Sequence, residues 1–269
     1  MKKRAWIYLA IGFLGIGIGV LAIVLRSEQA ARPIPPEPTS PKPQQAPKVS
    51  LPGASPIEAI HEDYNQPSSL WVVVNKQFAL ADEQYRPSDL ELVTTLPTRP
   101  EKTSDEQSLR QVALPALDQL VGAANAAGHN LLLGSGFRGY DLQAQYFNNY
   151  AAHAGEAAAS QFSARPGQSE HQTGLAVDFG LVSGECYLET CFGDLPAGQW
   201  LAQHAHTYGF ILRYPADKTE ITGYQYEPWH FRYVGVSLAT ALYTSGLTLD
   251  QAQPYLKTAL EQLRLQQLI

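Results

Sequence analysis

The chain has 269 residues, 45% of them hydrophobic and 10% aromatic, which suffices for a sizeable core and excludes a globally disordered protein. The formal net charge is −6, but the first 26 residues carry +4, so the remainder has 15 basic and 25 acidic residues and carries −10. A body this acidic lacks the positive surface that polyanions need, and nucleic-acid binding is not expected. Two cysteines exclude a multi-disulfide framework and an all-cysteine zinc finger.

The first predicted element is an uncharged run of 21 residues, 5–25, whose length suits a helix across roughly 30 Å of hydrocarbon. Three basic residues precede it and one follows, so the positive-inside rule places residues 1–4 in the cytoplasm. We therefore predict a single-pass membrane anchor with an extracytoplasmic catalytic domain. A cleaved signal peptide is the alternative, but its apolar run is usually about 7–15 residues and the sequence at 27–31 (SEQAA) is a poor cleavage site.

Residues 26–68 are predicted to be a flexible, proline-rich linker. Nine prolines lie between residues 32 and 56, interleaved with polar residues and without any helical or strand periodicity. That composition favours extended chain that holds the following domain off the membrane. A ligand for a proline-binding domain is the alternative, but such a partner is not expected outside a cell.

Residues 69–269 are predicted to form one folded domain. Residues 71–76 (WVVVNK) indicate a short strand. Apolar residues recur at helical spacing from Leu109 to Ala124, where Pro115 predicts a kink or a later start and Gly128 a stop.

The second half of this domain mixes short strands and helices without regular alternation. This mixture predicts an α+β fold, a small antiparallel sheet with flanking helices. The strands are expected at 131–133, 210–212 and 229–234, and the helices at 199–208 and from about residue 250.

Residues 169–178 (SEHQTGLAVD) are the first of two segments rich in metal-binding side chains. Gly174 permits a tight turn, and the residues after it alternate as a strand. A bend at this point could bring His171 and Asp178 together despite their separation in sequence.

Residues 227–233 (EPWHFRY) are the second such segment. Pro228 disfavours the interior of a helix, and aromatic residues alternate with His230 and Arg232. The pattern predicts a strand whose aromatic side chains lie on one face and whose histidine lies on the other.

Two imidazoles and one carboxylate, from His171, Asp178 and His230, form a suitable ligand set for a catalytic zinc ion with a fourth position left for water. Glu227 is then the candidate general base, and Arg138, after a buried strand, supplies fixed positive charge for an oxyanion or a substrate carboxylate. Histidines beside aromatic runs are more often buried core residues, and spacing alone leaves the two interpretations about equally weighted.

The combined motifs, S-x-H-x-x-G-x-A-x-D and E-x-x-H, resemble the signature of the LAS zinc peptidases, a group that includes lysostaphin, D-Ala-D-Ala peptidases and hedgehog domains. The nearer resemblance is to VanY-type D-alanyl-D-alanine carboxypeptidases and their L,D-carboxypeptidase relatives. It covers about residues 70–249 and includes SGFR at 135–138, YGFILRYP at 208–215 and EPWHFRYVG at 227–235.

This resemblance implies a LAS/hedgehog-like α+β domain that binds one Zn²⁺. It assigns the zinc ligands to His171, Asp178 and His230, the general base to Glu227 and a transition-state or substrate role to Arg138. It also places Ser169 and Gln143 in the substrate cleft.

The activity implied by the resemblance is release of the terminal D-alanine from peptidoglycan stem peptides. An L,D-carboxypeptidase acting on tetrapeptide stems is the alternative within the same chemistry. A third hypothesis is a non-catalytic, zinc-stabilised module that binds the cell wall, which the presence of Glu227 disfavours. No obligate protein partner is inferred.

Two further pairs of residues invite a metal or redox interpretation. Cys186 and Cys191 lie in a loop flanked by glycines and are predicted to form a small disulfide outside the cytoplasm, with free thiols as the alternative. His204 and His206 point apart on the predicted helix, so they are expected to be core or surface residues rather than ligands.

Overall fold

The domain combines one four-stranded sheet with helices and two small strand pairs. A computed structural model describes residues 46–266, which belong to one folded unit. The first half contains β1 (Lys48–Val49), β2 (Ile57–Glu58), β3 (Leu90–Leu92), β4 (Ser108–Arg110), α1 (Leu114–Ala126), β5 (Leu131–Ser135), α2 (Tyr140–Ala154) and α3 (Glu156–Phe162). The second half contains β6 (Ala176–Leu181), α4 (Pro196–His204), β7 (Phe210–Leu212), α5 (Thr219–Thr222), β8 (His230–Tyr233), α6 (Val236–Ser245) and α7 (Leu249–Leu265).

The central sheet has the strand order β5-β6-β8-β7, and each pair of adjacent strands in it is antiparallel. Strands β1 and β2 form one separate antiparallel pair, and β3 and β4 form another. The predicted α+β class with a small antiparallel sheet is therefore confirmed.

Side-chain alternation along β6 divides the central sheet into an apolar face and a polar face. Val177 and Phe179 are fully buried in a core that includes residues of α1 and α4. Because successive side chains of a strand point to opposite faces, Asp178 lies on the other face. The same alternation on β8 places Phe231 in the core and His230 opposite it.

The predicted first helix begins later than its apolar pattern. Residues 108–110 pair as β4, a single 3₁₀ turn follows, and α1 begins at Leu114 with Pro115 in its first turn. Proline is tolerated there because the first backbone N–H groups of a helix have no partner within it. The later start that Pro115 predicted is confirmed.

The prediction of a strand at residues 71–76 is wrong. Trp71, Val72 and Val74 are buried, but the backbone of this segment forms local turns instead of pairing in a sheet, and Asn75 N donates to Phe78 O at 2.9 Å. The indole of Trp71 instead donates to the Val234 carbonyl at 3.0 Å.

The folded domain begins before the predicted linker boundary at residue 68. Residues 46–68 include β1 and β2, and Val49 and Leu51 are buried in the core formed with α6 and α7. The predicted anchor, residues 5–25, lies outside the described residues. Between residues 46 and 266, no helix is both long and apolar enough to cross a membrane.

Candidate active site

His171 is placed by a short 3₁₀ turn that precedes β6. The turn spans Glu170–Thr173 and ends at Gly174, whose φ is +68°. A Cβ at this glycine would lie 2.9 Å from the Arg110 side chain, so both the backbone conformation and the space favour glycine. The bend that Gly174 predicted is present, and it returns the chain into β6.

Asp178 and His230 lie directly opposite each other on the paired strands β6 and β8, and Ser135 of β5 lies on the other side of Asp178. The imidazole of His171 approaches the same carboxylate from the 3₁₀ turn. The Nε2 atom of His171 is 3.2 Å from Asp178 Oδ2, and Nδ1 of His230 is 3.1 Å from Asp178 Oδ1. The structure thus brings the three predicted ligands together.

These three side chains fit a metal ion. His171 Nδ1 lies 2.6 Å from the Gly136 carbonyl, which can only accept, so Nδ1 carries the proton and Nε2 offers a lone pair. Within residues 46–266, His171 Nε2 and Asp178 Oδ1 have no hydrogen-bond partner although both are buried. Two ligands of a tetrahedral zinc ion, each about 2.0 Å from it, are about 3.3 Å apart, close to the separations of the two imidazole nitrogens from Asp178. All three ligand atoms lie within 4.8 Å of one another.

The electrostatics of the cluster also favour a cation. Burial and the nearby Arg138 charge lower the pKa of His171 to about 4, so this imidazole is neutral at pH 7. Burial alone would lower the pKa of His230, but the surrounding Asp178, Glu170 and Glu227 carboxylates raise it to about 9. A divalent cation would compete with that proton for the ring nitrogen.

Glu227 reaches the cluster through a tight turn. His230 N donates to the Glu227 carbonyl at 3.1 Å, which places Glu227 Oε2 at 3.7 Å from His230 Nδ1. Glu227 is only 7% exposed, and burial raises the pKa of its carboxyl group to about 7. A carboxylate with a pKa near neutrality can both accept and return a proton.

Arg138 follows β5 and points at the cluster. Its Nη1 atom donates to Asp178 Oδ2 at 3.2 Å and to Ser135 Oγ at 3.0 Å. Gln143 Oε1 accepts from Arg138 Nε at 3.1 Å, and Gln143 Nε2 donates to the Ala164 carbonyl at 2.8 Å. The amide of Gln143 therefore holds the guanidinium in place.

The cluster opens into a cleft of about 730 Å³, a size typical of ligand sites. Ser169 and Gln143 line it, together with the three candidate metal ligands, Glu227 and Arg138. A separate cavity of about 390 Å³ lies between α4, β7 and α6. None of the predicted site residues within the described part of the chain lines that second cavity.

One wall of the cleft is a disulfide-closed loop. Cys186 and Cys191 are bonded, with an S–S distance of 2.07 Å, and Tyr187 and Leu188 between them line the cleft. The predicted pairing of the two cysteines is thus present in the structure.

The other pair of histidines, His204 and His206, lies outside the cluster. His204 stacks on Trp200 with ring centroids 4.7 Å apart, and His206 stacks on Tyr243 at 3.7 Å. Among the described residues, His171, Asp178 and His230 form the sole group of three or more side chains suited to a metal.

Two polar residues that line the cleft have no role predicted from the sequence, Glu170 and Tyr224. Glu170, within the first motif, is fully buried between Arg213 and Arg232 and faces His230. Tyr224 lines the cleft, and within the described chain its buried hydroxyl has no hydrogen-bond partner. An acid inside a metal motif was a usable signal for Glu170, whereas no local pattern marks Tyr224.

A buried His-Asp-His cluster with a carboxyl group of raised pKa and an arginine beside it, at the base of a cleft, defines a class: a metal-dependent hydrolase with a peptidase-like site.

Comparisons with known proteins identify the family. The sequence model of the VanY family, D-alanyl-D-alanine carboxypeptidases, matches residues 106–236. The putative carboxypeptidase YodJ of Bacillus subtilis (strain 168) is 40% identical over 190 residues, which cover 71% of this chain and 69% of that relative. The D-alanyl-D-alanine carboxypeptidase of Enterococcus faecalis (strain ATCC 700802 / V583) is 38% identical over 158 residues, 54% of each chain. The protein belongs to the VanY family and is an enzyme.

Solved structures agree with this assignment. The LdcB LD-carboxypeptidase aligns with a TM-score of 0.66 and 37% identity over 77% of this chain and 94% of its own. A mutant of the vancomycin resistance D,D-pentapeptidase VanY, in complex with Zn(II), aligns with a TM-score of 0.57 and 32% identity over 70% of this chain and 99% of its own. The cofactor of the protein described here is zinc. The cluster of His171, Asp178 and His230 is suited to bind this ion.

Proposed function

We propose that the protein is a zinc-dependent D-alanyl-D-alanine carboxypeptidase that releases the terminal D-alanine of peptidoglycan stem peptides. The observation that carries this proposal is the convergence of His171, Asp178 and His230 on one point, with the Glu227 carboxyl group beside them in an open cleft. Family membership and the names of the relatives support the substrate class.

In the proposed reaction, His171 Nε2, an oxygen of Asp178 and His230 Nδ1 would hold the ion. When bound, zinc would supply Lewis acidity to polarise a carbonyl group and to lower the pKa of water. Glu227 accepts a proton from the attacking water and returns it to the amine of the leaving D-alanine as the carbon–nitrogen bond breaks.

Arg138 provides the fixed positive charge of the reaction. Its guanidinium is held by Ser135, Gln143 and Asp178, so it needs no reorganisation when negative charge develops on the substrate. The same geometry suits a substrate carboxylate. We assign Ser169 to the substrate-binding wall of the cleft, and Gln143 to holding Arg138.

An L,D-carboxypeptidase is the second candidate, favoured by the similarity to LdcB. The two activities differ in the stereochemistry of the residue before the scissile bond. The non-catalytic wall-binding module is less well supported, because Glu227 is present and lies beside the metal cluster.

Product analysis distinguishes these candidates. We would incubate the full-length protein with a stem pentapeptide, a stem tetrapeptide and a control pentapeptide ending in L-Ala-L-Ala, and identify products by mass. Chelator-sensitive loss of one alanine from the first pentapeptide alone is the expected result. Cleavage of the tetrapeptide alone would establish the L,D activity, and cleavage of neither by zinc-loaded protein would favour the binding module.

We also propose that residues 5–25 anchor the protein in the membrane with the catalytic domain on the extracytoplasmic side. The uncharged 21-residue run and its basic N-terminal flank support this placement. The full-length protein should stay with the membrane pellet after an alkaline carbonate wash, whereas release into the wash would contradict an uncleaved anchor.

A further inference from the structure

Three charged side chains beside the metal cluster are buried but have no part in the proposed reaction. Glu170, Arg213 and Arg232 are each at most 1% exposed. Burying a charge is costly unless it is paired and hydrogen-bonded. Each of the three therefore needs a hydrogen-bonded partner of opposite charge.

The two carboxylate oxygens of Glu170 face different partners. Oε1 accepts from Arg213 Nε at 2.8 Å and from Arg232 Nη1 at 2.9 Å. Oε2 has no hydrogen-bond partner within residues 46–266, and it lies 3.6 Å from His230 Nε2. The two guanidinium groups thus fix the carboxylate so that its remaining oxygen faces the His230 ring from the side away from Asp178.

Arg213 continues this chain of contacts to the last helix. Its Nη1 and Nη2 atoms donate to the two carboxylate oxygens of Asp250 at 2.5 and 3.1 Å. Asn75 Nδ2 donates to Asp250 Oδ1 at 2.7 Å. A capping box between Thr248 and Gln251 fixes the first turn of α7, in which Asp250 lies.

The outer members of this network of contacts, Asp250 and Asn75, lie outside the region that the VanY family model matches. That region ends at residue 236, whereas Asp250 belongs to α7 and Asn75 precedes residue 106. The charges balance, because Glu170 and Asp250 offset Arg213 and Arg232. Packing alone does not require that one Glu170 oxygen stay unpaired and face a metal ligand.

We infer that Glu170 is a positioning residue for His230, and that Asp250, acting through Arg213, extends this support to α7. A carboxylate beside Nε2–H holds the tautomer in which Nδ1 carries the lone pair, orients the ring and raises its basicity. The inference rests on the proposed function, since it takes His230 Nδ1 to be a zinc ligand. It makes α7 part of the metal site's support.

Zinc affinity of the full-length protein tests this inference without relying on turnover. Competition against a chromophoric chelator should show about 10–100-fold weaker binding in Glu170→Gln, the range for loss of such a supporting group. Asp250→Asn acts through one more residue and should lose less, up to about tenfold. The absorption spectrum of the Co²⁺-loaded protein, which reports ligand geometry, should change in both variants.

Asp63→Asn is the matched control, because Asp63 pairs with Arg264 of the same helix at 2.8 Å, away from the metal cluster. It should leave zinc affinity and the cobalt spectrum unchanged. Circular dichroism establishes which variants fold, and if Glu170→Gln does not, Asp250→Asn, whose carboxylate lies at the edge of the network, decides the question.

Folded variants with the parent's zinc affinity and cobalt spectrum would overturn the inference, as would an equal loss in Asp63→Asn. A parent protein that binds no zinc would instead contradict the proposed function, so the two failures are distinguishable.

Discussion

Replacing Glu227 with glutamine should lower kcat for D-alanine release by about 10²–10⁴-fold, the usual contribution of a general acid–base. Zinc affinity should remain near that of the parent, because Glu227 lies beside the cluster and is not one of the three proposed ligands. Glutamine keeps the size of the side chain but cannot accept and return the proton. Steady-state kinetics and the zinc content of the same preparation measure the two effects.

The matched control for this substitution is Glu220→Gln. Glu220 is an exposed glutamate of α5, and its replacement removes one negative charge without altering the cleft. Its kcat should equal that of the parent. Zinc-loaded Glu227→Gln protein with near-parental kcat would remove Glu227 from the role of base.

Replacing His230 with alanine should abolish hydrolysis and also weaken zinc binding. If the roughly 10–16 kcal/mol of a four-ligand zinc site is shared equally, one ligand contributes about 3 kcal/mol, somewhat more than a hundredfold in affinity. The loss of both properties distinguishes a ligand from a base. Equilibrium dialysis against zinc together with D-alanine release provides both values.

His204→Ala is the corresponding control for a histidine outside the site. Its ring stacks on Trp200, and its Nδ1 lies 2.8 Å from the Trp200 carbonyl. It should keep the parental zinc affinity and activity. Parental zinc affinity in His230→Ala, or a zinc loss in His204→Ala of similar size, would contradict the assignment of the ligands.

Part of the geometry of the metal cluster is local in sequence and could be predicted from the motifs. A turn ending at Gly174 leads into the strand of Asp178, and the turn from Glu227 to His230 fixes that pair. The spacing of residues within the motifs does not give the register of β6 against β8, which places Asp178 opposite His230. The family resemblance assigned the three residues to one ion without giving that register.

The support around the cluster could not be predicted in the same way. Glu170 contacts Arg213 and Arg232, and Arg213 contacts Asp250, so every partner is distant in sequence. No chemistry is predicted for the stretch after residue 249, because it lies outside the motifs that carry the family resemblance.

The missed and misassigned elements also have physical reasons. Helix α2 has only Gln143 and Phe147 buried, so its apolar periodicity is weak. Residues 71–76 are rich in valine, which favours a strand, but tertiary burial outweighs that preference. Trp71 and Val73 pack in the core of the last helices, whereas Val72 and Val74 pack with Leu80.

The most direct test of the central claim is D-alanine release as a function of zinc returned to metal-free protein. We would remove metal from the full-length protein with a chelator, add zinc in steps and assay a stem pentapeptide at each step. Release should be absent without metal and should saturate at one zinc per chain. Release by the metal-free protein, or no recovery when zinc is bound, would contradict a zinc-dependent carboxypeptidase.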